Sequence, residues 1–193
     1  DLTKSGAGTL LLTNAGNTFG GATATIDVLA GVLAASSDGA LGNTGNKVRL
    51  NVDGTTDVGF RATASFATAR TFVLNQANNA FEVTSGNTLT LSTAFTLSAT
   101  SNTLTKNDNG TLVLTASNPT LAGAITVAGG TLSLGAFTDT IGKLTVSGGA
   151  ITGTGAFTVN STDTFDLQSG SVAVDLGGTA AATKTTAGSV TLT

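Results

Sequence analysis

Leu2-Thr3-Lys4-Ser5-Gly6-Ala7-Gly8-Thr9-Leu10-Leu11-Leu12-Thr13 recurs in the second half of the chain as Leu104-Thr105-Lys106-Asn107-Asp108-Asn109-Gly110-Thr111-Leu112-Val113-Leu114-Thr115. A third, shorter copy, Thr183-Lys184-Thr185-Thr186-Ala187-Gly188-Ser189-Val190-Thr191-Leu192-Thr193, closes the chain. The likeness of the first two copies continues downstream. Asn17-Thr18-Phe19-Gly20-Gly21-Ala22-Thr23 and Ala30-Gly31-Val32-Leu33 answer to Asn118-Pro119-Thr120-Leu121-Ala122-Gly123-Ala124 and Gly129-Gly130-Thr131-Leu132. The two halves slip by a few residues, which implies loops of different length. An imperfect repeat with loose spacing favours stacked coils over a closed barrel.

Between the copies the apolar pattern has a period of two. It is plain in Val48-Arg49-Leu50-Asn51-Val52, Leu89-Thr90-Leu91, Phe95-Thr96-Leu97, Ile125-Thr126-Val127, Leu132-Ser133-Leu134, Leu144-Thr145-Val146, Phe157-Thr158-Val159, Phe165-Asp166-Leu167 and Val172-Ala173-Val174. Such alternation buries one face of a strand and wets the other. Gly, Asn and Asp punctuate the strands at Asn14-Ala15-Gly16-Asn17, Ser37-Asp38-Gly39, Asn43-Thr44-Gly45-Asn46, Asp53-Gly54, Asn107-Asp108-Asn109-Gly110, Gly129-Gly130, Gly148-Gly149 and Gly177-Gly178. These residue types accept the backbone of tight corners. No stretch has a helical period with caps, and Ala180-Ala181-Ala182 sits between glycines and a Thr run.

The composition supports the same reading and excludes much chemistry. Gly, Ala, Ser and Thr number 108 of 193 residues, and charged residues make up 10%. Small residues suit corners and flat outer faces, while Leu, Val, Ile and nine Phe suffice for a narrow core of stacked side chains. There is no Cys, Met, His, Trp or Tyr, which rules out disulfides, Ser-His-Asp and Cys-His nucleophiles, and ordinary zinc or haem sites. A net charge of −3 does not suit nucleic acid. No apolar run is long enough for a membrane helix. With no Met at position 1, and with both ends inside one motif, the chain reads as a piece of something longer.

Lys4-Ser5-Gly6-Ala7-Gly8-Thr9-Leu10-Leu11-Leu12, then Asn17-Thr18-Phe19-Gly20-Gly21-Ala22-Thr23, then Gly31-Val32-Leu33 resembles the autotransporter-associated passenger β-strand repeat. In the second copy Pro119 and Thr120 stand where Thr and the aromatic would be, and the third ends after Leu192-Thr193. The resemblance implies a right-handed parallel β-helix within a large exported bacterial protein, of a kind that serves as adhesin or stalk.

The acidic residues do not assemble into an expected site. Asp53 and Asp57, with Arg49 and Arg61 nearby, and Asp163, Asp166 and Asp175 are the candidate carboxylates for glycan chemistry, which needs a positioned pair. Asp53 falls in a turn, and Asp166 and Asp175 alternate with apolar neighbours and so point outward. Asn107-Asp108-Asn109-Gly110 is rich in oxygen but lacks the downstream carboxylate of a calcium loop. The glycines of Ser147-Gly148-Gly149-Ala150 and Gly153-Thr154-Gly155 open no helix, so they read as corners and not as phosphate loops. Thr-x-Thr triplets at Thr23, Thr88, Thr103, Thr138, Thr152, Thr162, Thr183 and Thr191 raise an ice-binding face, but their spacing is irregular and Asp139, Asp163 and Lys184 interrupt them.

The expectation is therefore an all-β, right-handed parallel β-solenoid with short strands, Gly/Asn/Asp corners and essentially no helix. It forms a single segment over residues 1–193, with repeats starting near 2, 104 and 183 and three strands per turn. At roughly 20 residues per turn it makes about nine turns, in a rod of roughly 40–45 Å. Its expected role is structural or adhesive, non-catalytic, and extracellular or on the bacterial surface. No catalytic, cofactor-binding or metal-binding residue and no cofactor are expected. The partners expected are copies of itself stacked end to end, or neighbouring solenoid repeats of the same chain, with no nucleic acid. The alternatives are a binding module with an ice or glycan face and, behind it, a glycan-active enzyme.

Overall fold

Every strand pairing in the computed structural model, which describes residues 1–51, 58–75, 77–96, 101–117, 121–159 and 163–193, is parallel. Strands are numbered in chain order. Sheet 1 runs β1 (Leu2–Lys4), β3 (Thr25–Val28), β5 (Lys47–Leu50), β8 (Phe72–Leu74). Sheet 2 runs β2 (Thr9–Leu12), β4 (Gly31–Ala35), β6 (Val58–Ala62), β9 (Asn79–Val83), β11 (Thr103–Asn107), β13 (Leu121–Val127), β15 (Thr138–Val146), β17 (Ala156–Val159), β20 (Asp175–Gly178). Beside this path, β18 (Thr164–Leu167) pairs with β15, and β21 (Ala181–Thr183) pairs with β18. Sheet 3 runs from β7 (Phe66–Thr68) through β10 (Thr88–Leu91), β12 (Thr111–Leu114), β14 (Thr131–Ser133), β16 (Ala150–Thr152) and β19 (Gly170–Val172) to β22 (Val190–Leu192).

The chain is thus a parallel β-solenoid of about eight turns, counted from β2 to β20 along sheet 2. At the usual strand spacing this is a stack of about 40 Å. Turns differ in length. The turn from Thr164 to its register partner Ala181 is short, and the turn from Gly31 to Val58 is long, so the loose spacing of the repeat comes from unequal loops.

The expectation of three strands in every turn needs correction. Among the described residues, only the two turns that carry β5-β6-β7 and β8-β9-β10 contribute a named strand to each sheet. In the turn before them a 3-10 turn at Gly39–Leu41 occupies the third side and buries Ala40 and Leu41. Arg70, itself buried, fixes that segment: its guanidinium donates to Asp38 Oδ1 at 2.7 Å and to the carbonyls of Asp38 at 3.0 Å and Gly42 at 2.9 Å. Beyond the middle, sheet 2 widens instead. The nine-residue β15 is followed by β17 on its first half and β18 on its second.

Inward side chains stack in ladders, as the period of two demands. In sheet 3, Phe66, Leu89, Leu112, Leu132, Ile151, Val172 and Leu192 lie in register. In sheet 2 the ladder reads Leu10, Leu33, Phe60, Phe81, Lys106, Val127, Val146, Leu167. Phe60, Phe72, Phe81 and Phe95 meet edge to face at centroid distances of 5.1–6.2 Å and fill the middle of the stack. The lysine is the charged member of this aliphatic and aromatic column.

Candidate functional site

Lys106 shares the inward parity of Leu104 and is fully buried. An ammonium there survives only if each N–H finds an acceptor. Lys106 Nζ donates to the carbonyls of Asn107 at 2.5 Å, Asp108 at 3.0 Å and Gly129 at 3.2 Å. The first two belong to its own corner and the third to the corner of the following turn. The contact is reciprocal, because the Lys106 carbonyl accepts from the Ala128 N–H at 3.0 Å. Burial pushes the ammonium down to about 8, against the opposing pull of the Asp108 and Glu82 carboxylates.

Lys4 repeats this arrangement. It is buried next to Val28, and its Nζ donates to Gly6 at 2.5 Å and Ala30 at 2.8 Å, with the Ser5 carbonyl at 3.5 Å. Its own carbonyl accepts from the Leu29 N–H at 2.8 Å. In both copies the acceptor of the following turn precedes a left-handed glycine, Gly31 (φ +69°) or Gly130 (φ +61°). A Cβ at Gly31 would lie 2.4 Å from the Gly8 carbonyl oxygen, and one at Gly130 would lie 2.3 Å from that of Gly110. Only glycine lets the second corner settle on the first. The period-two reading contained the signal for these lysines, since both fall on the apolar parity of their strands.

The lysine accounts for the oxygen-rich turn at 107–110: two of its carbonyls already hold a cation, the ammonium. Gly148-Gly149 and Gly153-Thr154-Gly155 are stacked corners, with Gly149 over Gly130 and Gly153 over Gly135. Of the candidate carboxylates, Asp53 and Asp57 lie outside the described residues, as do Val52, Gly54, Leu97, Pro119, Thr120 and Thr162. Asp163 is exposed just before β18, and Asp166 and Asp175 project outward from β18 and β20. Asp166 is held below the usual carboxylate range by the Thr185 hydroxyl at 2.7 Å and then by the Gln168 amide at 2.8 Å. Among the described residues no three His, Cys, Asp or Glu side chains form a metal-binding group.

Asp139 corrects the sequence reading. It does not interrupt an outer threonine row, because Thr138 and Thr140 are exposed while Asp139 points inward, 1% exposed, and accepts from Ser117 Oγ at 3.3 Å. Among the described residues the Thr-x-Thr triplets fall on different sheets and form no common array. Sheet 3 does gather hydroxyls in two outward rows, Thr88-Thr111-Thr131-Ala150-Ser171-Thr191 and Thr90-Val113-Ser133-Thr152. Alanine and valine break them.

Sequence reasoning missed the ion pairs. Asp27 and Arg49 face each other in adjacent turns, as do Arg61 and Glu82, with Arg61 Nε 2.6 Å from Glu82 Oε2. Spacings of 22 and 21 residues between opposite charges, one turn apart, were the available signal. Beside Glu82 the outer face of sheet 2 dips at Gly59 and Ala80 into a concavity of about 360 Å³, lined also by Asn78, Thr105 and Asn107.

Parallel coils, an aliphatic ladder and lysine-clasped corners define a structural solenoid repeat. Residues 2–35 and 104–134 match the family model of the passenger-associated-transport-repeat, and the solenoid around them fits an autotransporter passenger repeat, a kind that belongs to secreted passenger domains. Each matched stretch begins within a clasping lysine's strand and ends at the close of the strand that the left-handed glycine opens or precedes. No curated protein and no solved structure compared with the chain matches it. No helix among the described residues is long and apolar enough to cross a membrane.

Proposed function

We propose that this chain is a length of non-catalytic shaft in a secreted bacterial surface or extracellular protein, a stiff solenoid that spaces, coats or adheres. The observation that supports this best is the eight-membered ladder from Leu10 to Leu167, which runs the length of the stack and is clasped at its corners. A continuous stack transmits force along its axis, because each turn rests on its neighbours. The outward faces suit this role: among the described residues they carry short hydroxyls and paired charges. The natural partner of such a shaft is a neighbouring repeat of the same solenoid. Small-angle scattering and limited proteolysis test the proposal together. A rod-like distance distribution with a protease-resistant body is expected; a compact or flexible particle cut within the ladder would overturn it.

A second reading has one observation in its favour, the hydroxyl rows of sheet 3. A ligand face for ice or glycan would use them. Thermal hysteresis of the purified chain, lost in a Thr111→Lys variant, would support that face; normal ice growth and no retention on a glycan array would eliminate it.

A further inference from the structure

Gly59 stands inside β6 on its outward parity, between Val32 and Ala80 of the adjacent turns. Glycine within a strand weakens it, and commonly marks a bulge, a bend at a corner, or a place where another backbone or a ligand comes close. β6 pairs with β4 and β9 in unbroken register through Gly59, so neither a bulge nor a corner falls there. A Cβ at Gly59 would lie 3.5 Å from Val32 Cγ2 and 3.8 Å from both the Cβ and the carbonyl oxygen of Ala80, ordinary contacts for a methyl group. Its φ is outside the left-handed region. Gly31 and Gly130 are the contrast, since φ and close approach both require them. The fold accepts a side chain at position 59 and the sequence supplies none. What the bare position keeps open is the concavity of about 360 Å³ on the outer face of sheet 2, a volume at the small end of ligand sites.

We infer that this concavity is a binding site for a neutral sugar residue of a glycan, and that Gly59 is left bare to admit it. Val32, Gly59 and Ala80 make a floor of small apolar groups, on which the C–H face of a pyranose ring can lie. Asn78, Glu82, Thr105 and Asn107 line the rim and bring amide, carboxylate and hydroxyl groups, the donors and acceptors that sugar hydroxyls need. The charges around the site cancel. Glu82 is paired with Arg61 at 2.6 Å, Arg61 Nε lies 3.9 Å from Asp108 Oδ2, and the Lys106 ammonium sits in the neighbouring corner. Two carboxylates against two cations favour a ligand without net charge over an acidic sugar or a metal ion. The rim is also fixed before a ligand arrives. Asn78 is held left-handed (φ +60°), its N–H donating to Thr103 Oγ1 at 2.7 Å and its carbonyl accepting from the Val58 N–H at 3.2 Å. The Asn107 carbonyl accepts from Lys106, so the clasp that fastens the corner also steadies this residue. A rim so fixed gives up little conformational freedom on binding. The inference rests on the shaft reading and deepens its adhesive part: the shaft carries a sugar site on its flank, on a different sheet from the hydroxyl rows of sheet 3.

An oligosaccharide array tests this with the parent chain and its variants. One arm holds neutral glycans of glucose, galactose and mannose, the other sialylated and sulfated glycans; the neutral glycan retained best is then titrated by calorimetry. The parent is expected to retain a neutral glycan. Gly59→Val fills the floor with a side chain that strands favour, and is expected to weaken binding at least tenfold with a thermal midpoint unmoved or raised. Thr105→Val keeps the shape of the rim and removes one hydroxyl, for an expected loss of about fivefold, the size of one hydrogen bond. Retention of acidic glycans alone, or of none, overturns the inference, as does a neutral glycan that Gly59→Val binds as tightly as the parent. Should Gly59→Val not fold, an unchanged affinity in Thr105→Val overturns it instead. A Gly59→Ala chain whose midpoint falls by more than about 2 °C would show that the fold itself requires the glycine, and removes the ground for the site. A rod by scattering that binds no sugar fails this inference alone, whereas a flexible particle that binds sugar fails the shaft and leaves the site standing.

Discussion

Replacing Lys106 with Met keeps the length and apolar stem of the side chain and removes its three N–H donors. The carbonyls of Asn107, Asp108 and Gly129 are left facing a thioether. A buried acceptor deprived of its donor costs about 1–3 kcal/mol, so the three together cost at least about 3 kcal/mol. Against this stands the relief of no longer burying a charge. Burial lowers the ammonium from 10.5 to about 8, and at about 1.4 kcal/mol per pKa unit the relief is about 3.5 kcal/mol. Hydrogen bonds from a charged donor contribute about 1.5–3 kcal/mol each, more in sum than the burial cost, which is why the lysine is tolerated. The balance favours a net loss of about 3 kcal/mol, or a fall in Tm of roughly 6–12 °C. Urea unfolding followed by far-ultraviolet circular dichroism measures it, with Lys143→Met on the outer face of β15 as a control expected within about 0.5 kcal/mol of the parent. A Lys106→Met chain as stable as the parent, with an unchanged m value, would refute the view that the ammonium holds the corner.

Three further outcomes follow from the same geometry. Gly130→Ala should cost about 3 kcal/mol or more, because its Cβ would meet the Gly110 and Asp108 oxygens at 2.3 and 2.5 Å; Gly6→Ala, equally left-handed at φ +82° but with open space around it, should cost only about 1 kcal/mol. Equal losses would show that the close approach is unimportant. The folded chain holds the Lys106 proton less tightly than the unfolded chain, so between pH 8 and about 10.4 the unfolded state binds more protons. The stability of the parent relative to Lys106→Met should therefore rise with pH in that window, by at most about 1.4 kcal/mol per unit, and a falling difference would contradict the burial. Asp166 has the opposite sense: its lowered pKa adds stability above about pH 4 that is lost as the pH falls through the folded value, so Asp166→Asn should lose under about 1 kcal/mol at neutral pH and show a flatter acid limb.

Strand positions were legible because each burial pattern repeats the alternation of its sequence, as in Leu89 and Leu91 or Phe157 and Val159. Corners were legible because glycine and asparagine mark them. Two things were not. The 3-10 turn at Gly39–Leu41 depends on Arg70, 32 residues beyond Asp38, and no local propensity announces that clamp. Charge rows such as Asp27 with Arg49 require the register of adjacent turns, which unequal loops hide until the strands are paired. The corner lysines fell between these cases. Their parity was on view, but a lone Lys at a strand end normally extends its ammonium into water, and only the carbonyls of the next turn reverse that expectation.

Those carbonyls also explain why the matched repeat is longer than a turn. Lys4 reaches Ala30 and Lys106 reaches Gly129, so a unit that contains both halves of the clasp spans one turn plus the next corner, as residues 2–35 and 104–134 do. The clasp is not tied to one side of the solenoid. The first joins sheet 1 to sheet 2, and the second joins sheet 2 to sheet 3, four turns and one side further along. Lys184 stands four turns beyond that, on the same corner as Lys106. A clasp needs only a lysine on the inward parity, a short turn of free carbonyls, and a small residue before a left-handed glycine one turn later. Such a device can recur at any corner where the loops permit. A solenoid whose turns differ so widely in length thereby keeps one core register from end to end.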